Sequence, residues 1–246
     1  MSATESQTGV ETTLLGRKVR LYDLSQEVSQ RTQMHPLHPR VEVYPFESHA
    51  NSAQVLNTGF SYRACLLIMS DHASTHIDAH CHFDPDPSAA TTDRLPLDLC
   101  CGEAICVDLS HLPPRAGITV ADIEESLARD GLELLPGDIL LLYTGHYERT
   151  AGTPEYLTEF PGLGASASEW IVEKQIKTFG VDSPTPDNPT STSYPCHMMC
   201  RREHITHYEN LANLDQVVNT RFTFVGFPLK LQGAHGGPTR AVAIVD

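Results

Sequence analysis

The segment His72-Ala-Ser-Thr-His76-Ile-Asp78-Ala-His80-Cys-His82 places four imidazoles and a carboxylate within eleven residues. Packing does not account for such a cluster. A histidine pair four apart, with a carboxylate two residues further on, supplies nitrogen and oxygen donors suited to Zn²⁺, Mn²⁺ or Fe²⁺. Geometry then restricts how the segment can run. Fully extended, at ~3.3 Å per residue, it would hold His72 and His82 about 33 Å apart, too far for one site. In a regular helix Asp78 would stand about 200° around the axis from His76. The expectation is a turn between a strand end and a short helix, with two or three of these side chains converging. The alternative is a polar loop of exposed or capping histidines.

The rest of the chain can supply a frame for such a centre. Its 246 residues suit one α/β unit with a sizeable core, and 20 % charged against 40 % hydrophobic residues excludes general disorder. With 31 acidic and 17 basic side chains the net charge is -14, which repels phosphate backbones and anionic headgroups, so no nucleic-acid or membrane partner is expected. No apolar run approaches the roughly 20 residues of a membrane span, and the N-terminus lacks a basic-then-apolar signal pattern. A cytoplasmic protein is the expectation. Seven cysteines, an odd number without disulfide-framework spacing, point to reduced thiols.

Residues 1–18 are rich in Ser, Thr and Glu, and read as a flexible N-terminal arm before a domain over 19–246. Residues 19–24 look like a strand, and 61–69 like a buried strand that delivers the chain to the histidines. Thr119 with Asp122 caps a helix that Gly131 stops, and Pro136-Gly-Asp leads into a strand from Ile139 to Tyr143. Ser166 and Glu169 have capping-box spacing, which predicts a helix over 167–178 ending at Gly180. Residues 183–195 carry four prolines and form a surface loop. A short helix over 196–203 and a late strand over 222–231, interrupted at Pro228, complete an α/β pattern.

The histidine segment resembles the motif His-x-Gly-Thr-His-x-Asp-x-Pro-x-His of the cyclase-like hydrolase family, which includes bacterial kynurenine formamidases and isatin hydrolases. Thr75 to Ala79 and His82-Phe83 match as they stand, with Ser74 in the place of the motif's Gly and His80 in that of its Pro. Asp23-Leu-Ser25, Gly180-Val-Asp-Ser183, His197 followed by Glu209-Asn-Leu-Ala-Asn-Leu214, and the stretch from Phe227 through Arg240 are similar as well. The resemblance spans roughly residues 20–245. It implies a swivelling β/β/α single domain with a mixed central sheet, assembled as a homodimer or homotetramer.

The resemblance further implies His72, His76 and Asp78 as ligands of a main divalent metal, Zn or Mn, with His82 as general acid/base. In two-metal members the counterparts of Asp78, His197 and Glu209 hold a second ion; in one-metal members His197 and Glu209 line the pocket. The implied chemistry is hydrolysis of a small amide: hydroxide on the metal attacks the carbonyl and His82 protonates the departing nitrogen. Residues 205–215 resemble the isatin hydrolase branch, so opening of a cyclic amide is the leading expectation. Kynurenine formamidase is the alternative, although Met34-His35-Pro36 stands where formamidases carry a Trp before the proline. A non-catalytic metal-binding protein is the alternative of another class.

Other candidates are weaker. Cys196, Cys200, His197 and His204 could form a small structural Zn site, but no second Cys-x-x-Cys-like half is present. Cys81 could be a nucleophile. His111, His146, His207 and His235 have no partner visible in the sequence and read as surface or hydrogen-bonded histidines. Gly236-Gly237 is a turn, since no phosphate-loop pattern surrounds it.

Overall fold

A computed structural model of the chain describes residues 9–246. In chain order the strands and helices begin with β1 (Val10–Leu14), β2 (Arg17–Asp23), β3 (Glu42–Glu47), α1 (His49–Leu56), β4 (Ala64–Ile68), β5 (His76–Asp78) and α2 (His80–Phe83). They continue with β6 (Cys101–Asp108), β7 (Gly117–Ile118), α3 (Val120–Asp130), β8 (Ile139–Tyr143), α4 (His146–Thr150), β9 (Gly162–Leu163) and α5 (Ala165–Glu173). The last are β10 (Thr178–Val181), α6 (Pro195–Glu203), β11 (Thr206–Glu209), β12 (Arg221–Val225), β13 (Gly236–Pro238) and β14 (Val242–Val245).

Of the described strands, β3-β4 and β7-β9 form two separate pairs, and the other ten build one sheet in the order β1-β2-β14-β12-β6-β8-β10-β11-β5-β13. Its centre, β6-β8-β10-β11, is parallel and the flanking pairs are antiparallel, so the expected α/β domain with a mixed central sheet is what the chain forms. Both faces of the centre are covered, which is why β8 reads as an unbroken apolar run. Ile105, Val107, Leu140, Leu142, Phe179 and Val181 pack on one face against Ile123 and Leu127 of α3, Trp170 and Ile171 of α5, and Met199 of α6. Alternate residues, Ala104, Cys106, Ile139 and Leu141, face the other way and meet Leu24, Leu211, Leu214 and Phe224. Burying one such Leu or Ile side chain contributes ~1.5–3 kcal/mol, so the rigid middle of the sheet fixes whatever its ends carry.

Several local expectations hold. α3 has the Thr119–Asp122 capping box and ends at Gly131, whose φ of 64° lies in the left-handed region. Others change. The expected loose arm over 1–18 is replaced within the described residues by β1, which pairs with β2 from Val10↔Leu21 to Leu14↔Arg17. The pairing is through backbone groups across a two-residue turn, with Leu15 and Gly16 both at positive φ, so it needs no buried side chain and leaves no apolar signature. Residues 1–8 of that arm lie outside the described residues.

The helix expected over 167–178 starts earlier, uncapped by Ser166, and stops at Glu173, so that Thr178–Val181 serves as β10. Tertiary pairing with β8 and β11 decides this, and Gly180 sits inside the strand where Leu141, Leu211 and Tyr208 leave no room for a Cβ. β4 is a strand as expected but not a buried one: it is exposed along its whole length and pairs only with β3, in a separate hairpin.

α4 accounts for one histidine of unassigned role. The His146 ring is buried, stacks on Tyr156 with planes 17° apart, and donates from Nε2 to the Tyr156 carbonyl at 2.8 Å. Burial lowers its pKa from the ordinary 6.5 and keeps it neutral. The unfolded chain therefore takes up this proton first as pH falls, so the contribution to stability is full above about 6.5 and lost as pH drops through the lowered folded value. We expect His146→Gln to show a shallower loss of unfolding free energy than wild type in urea titrations between about pH 7 and pH 5, by up to ~1.4 kcal/mol per pH unit. Parallel slopes for the two proteins would mean that His146 takes up its proton at the same pH in the folded and unfolded chain.

Candidate metal centre

Two short strands aim most of the donor atoms. On β5, His76 and Asp78 are two residues apart and share a face; on β11, His207 and Glu209 do the same. The strands run antiparallel with His76 directly opposite Glu209, so all four side chains lie on one patch of the sheet. α2 leaves β5 at once and returns His82 toward Asp78, with Nε2 at 3.7 Å from Oδ2. α6 supplies His197, whose Nε2 is 3.9 Å from the same oxygen.

The turn ahead of β5 depends on Ser74. Its φ of 59° is the left-handed conformation that normally favours glycine, and its Oγ donates to the Gln26 carbonyl at 3.0 Å. Ser74 thus keeps the backbone that the motif's Gly implies. His80 occupies the first position of α2, where a proline fits equally well because no helical N–H bond is required there. On β13, Gly236 pairs opposite Asp78, and a Cβ there would meet the Asp71 carbonyl at 2.7 Å and the His72 ring at 2.9 Å.

A common device orients the rings. His72 Nδ1 lies 3.0 Å from Asp71 Oδ1, His76 Nδ1 donates to the Ser74 carbonyl at 2.9 Å, and His197 Nδ1 meets Asp187 Oδ2 at 2.5 Å. His207 Nδ1 faces Cys200 Sγ at 3.6 Å. Each ring therefore turns Nε2 toward Asp78, the arrangement in which a partner fixes the tautomer of a metal-binding imidazole. Asp71 is itself held by the His235 and Gly236 backbone N–H groups. His82 differs: no hydrogen bond from the described residues fixes its ring, and 32 % of the side chain is exposed.

The centre carries a deficit of positive charge. Both oxygens of Asp78 and the Nε2 atoms of His72 and His76 are buried without a hydrogen-bond partner among the described residues. They nevertheless lie close: His72 Nε2 and His76 Nε2 are each 3.3 Å from Asp78 Oδ1. Leaving a buried carboxylate uncompensated is costly, and a divalent cation among these donors satisfies all of them, so the residues fit a metal.

Among the protein groups themselves the same need shows as proton binding. Burial opposes a charge on His76, but Asp78 and Glu209 outweigh it and raise its pKa to about 10. Burial and the Asp78 charge resist ionisation of Glu209, yet His207 and His76 bring it down to about 2. Burial lowers the pKa of His82, which stays neutral and able to accept a proton.

The expected residues converge, but not in the expected grouping. Among the described residues, two sets have donor atoms all within 4.8 Å of one another: Asp78, His197, His207 and Glu209, and His72, Asp78 and His82. His76 reaches Asp78 Oδ1 and lies 3.4 Å from Glu209 Oε2, yet belongs to neither set. His207, which had no partner visible in the sequence, lies inside the first. Its signal is the alternation Thr206-His207-Tyr208-Glu209, which puts it on the face of Glu209 once β11 is read as a strand.

His80 is buried beside the His204 ring and outside both sets, and His35 is exposed, 5.5 Å from the His38 ring. Cys196 and Cys200 are buried thiols while His197 turns to Asp78, so the four-residue structural Zn site does not assemble. Burial raises the Cys81 pKa, which counts against a nucleophilic role.

The comparisons with known proteins agree with this architecture. The family model Cyclase matches residues 22–188. A kynurenine formamidase of Bacillus mycoides (strain KBAB4) is 32 % identical over 179 residues, covering 72 % of this chain and 77 % of the relative. That of Polaromonas naphthalenivorans (strain CJ2) is 27 % identical over 227 residues, covering 92 % and 91 %. Among solved structures, an isatin hydrolase bound to the product analogue thioisatinate superposes with a TM-score of 0.80 at 24 % identity, covering 92 % of both chains. Isatin hydrolase A from Ralstonia solanacearum gives 0.80 at 23 %, covering 93 % of this chain and 92 % of that one. At these identities the superpositions bear on the fold alone.

Asp78 touches both sets, so its removal is the sharpest test of the centre. In equilibrium dialysis Asp78→Ala should bind Zn²⁺ or Mn²⁺ at least about a hundredfold more weakly, while Ser74→Gly should bind within about threefold of wild type. Wild-type affinity in Asp78→Ala would remove this carboxylate from the centre.

Proposed function

The chain belongs to the Cyclase family, and on that premise we propose that it is a metal-dependent hydrolase that opens a small cyclic amide. The observation that carries the metal is Asp78, a buried carboxylate with no hydrogen-bond partner and imidazoles facing both of its oxygens. His72, His76 and Asp78 hold the main ion, and His197 and Glu209 complete the polar wall; Zn²⁺ and Mn²⁺ both suit this mixture of nitrogen and oxygen donors. A bound divalent cation polarises the substrate carbonyl and lowers the pKa of a bound water to about 7.

The chain's own residues then divide the work. His82, the least confined ring of the cluster and neutral through burial, takes a proton and returns it from Nε2 to the departing nitrogen. The products are an amine and a carboxylate on one opened chain. A cyclic amide suits this arrangement because its carbonyl is already fixed relative to the leaving nitrogen, and little rotational freedom remains to be lost on binding. The net charge of -14 favours release of the anionic product. A second reading, hydrolysis of an aryl-formamide, is favoured by sequence relatives named kynurenine formamidase that match most of the chain. Against it stands His35, exposed in the first loop and offering no large aromatic face to an open-chain substrate.

The protein works as a homodimer or homotetramer in the cytosol. The β3–β4 hairpin supports assembly: Tyr44, Phe46, Leu66, Leu67 and Ile68 are 46–78 % exposed in the single chain, a patch that a second copy would cover. The seven unpaired thiols suit a reducing compartment, and no helix among the described residues is long and apolar enough to cross a membrane.

One kinetic comparison tests the reaction. We expect metal-loaded wild type to hydrolyse isatin, a γ-lactam or a cyclic imide with higher kcat/KM than N-formylkynurenine, and His82→Ala to keep its metal while losing about 10²–10⁴ in rate. A formamide turned over a hundredfold better than every ring would make the second reading the correct one, and loss of metal in His82→Ala would make His82 a ligand. Sedimentation velocity should show a dimer or tetramer at low micromolar concentration; an active monomer would remove the assembly from this account.

A further inference from the structure

His207 has the most confined ring in the centre. It is fully buried and stacked between Phe179, with centroids 5.2 Å apart and planes at 22°, and Phe83, at 6.1 Å and 17°. With Nδ1 turned to Cys200 Sγ, the ring presents Nε2 in the same way as His72, His76 and His197.

The separations around that atom are informative. His207 Nε2 lies 3.3 Å from Glu209 Oε1 and 3.4 Å from Asp78 Oδ2, and His197 Nε2 lies 3.9 Å from each of the same two oxygens. An imidazolium–carboxylate hydrogen bond would close to about 2.7–2.9 Å. Donors in a tetrahedron around one cation, each at about 2.0–2.1 Å from it, stand roughly 3.3–3.4 Å from one another. The His207–Glu209 contact is a hydrogen bond at the long end of the range, and both His207 distances match ligands that share an ion.

We propose that His207 Nε2 is a ligand of a second divalent cation, together with Asp78 Oδ2, His197 Nε2 and Glu209 Oε1. This rests on the metal-centred reading above and adds a fourth protein donor to the three that the sequence resemblance implies. The addition changes what the site can do. Four protein ligands close a tetrahedral shell, as in structural sites, whereas a catalytic ion keeps a position open for water or substrate. The second ion therefore compensates the Asp78 and Glu209 charges and fixes their orientation. Substrate meets the other side of Asp78, beside His72 and His82. His82, 32 % exposed, is the open member of the substrate side, while His72 beside it is 9 % exposed and His197 of the second set 17 %.

Two measurements test this. In the first, metal content and affinity are followed for Zn²⁺ in the full chain and in His207→Phe, which keeps the stacked ring and removes both nitrogens. Wild type should bind two ions per chain, and His207→Phe should hold the first unchanged and the second at least about a hundredfold more weakly. In the second, wild type loaded with ¹¹³Cd and labelled with ¹⁵N-histidine should show metal–nitrogen coupling at Nε2 of both His197 and His207. This readout stands if the variant does not fold. Coupling at His197 without coupling at His207, or two ions bound equally tightly by His207→Phe, overturns the assignment. A wild type that saturates with one ion overturns it as well while leaving the proposed hydrolase intact; a wild type that binds none sinks that reading itself.

Discussion

A carboxylate sealed from water and left without hydrogen-bond donors is the constraint around which this molecule is arranged. Asp78 sits on β5 with both oxygens in that condition, and an isolated charge in such a place would neutralise or force the chain open. What surrounds it is positive or able to become so: imidazoles from the turn before β5, from β5 itself, from α2, from α6 and from β11. The parallel core behind it is rigid enough to keep them there, since β10 and β11 pair in register along the edge of the buried block. The second layer of contacts, Asp71, the Ser74 carbonyl, Asp187 and Cys200, settles which nitrogen each ring shows. The centre is therefore as much a product of hydrogen bonds to the far side of each histidine as of the histidines themselves.

How legible this was in the sequence depends on how far apart in the chain the cooperating residues lie. His72, His76, Asp78 and His82 announce themselves because eleven residues hold them all. His197 and Glu209 have no such neighbourhood and were reachable through resemblance to a family pattern. His207 was missed because only its alternation with Glu209 is local, while its other partners are set by tertiary structure: the sheet register brings Asp78 beside it, and α6 lays Cys200 against its ring.

The same division holds for the fold. The α3 cap is local and its reading stands, whereas the end of α5 is decided by pairing of β10 with its neighbours, which no residue from 173 to 178 encodes. β1 escaped because a backbone-paired edge hairpin needs no hydrophobic pattern, and β4 misled because an apolar strand at the surface reads like an apolar strand in the core. Fold likeness and sequence likeness also point to differently named relatives, which is expected where one scaffold hosts several reactions and loops choose among them.

The place of the centre in the sheet has a kinetic consequence. β5 is the second strand from one end, three residues long, and its outer neighbour β13 is an edge strand of the same length. Local opening of an edge pair costs less free energy than global unfolding, although all three residues of β13 are buried here. When β13 lifts, Gly236 leaves the His72 ring and Asp71 loses the two N–H groups that hold it, while β6, β8 and β10 remain intact. Exchange of a cation held there would then be tied to this one edge and not to unfolding of the core.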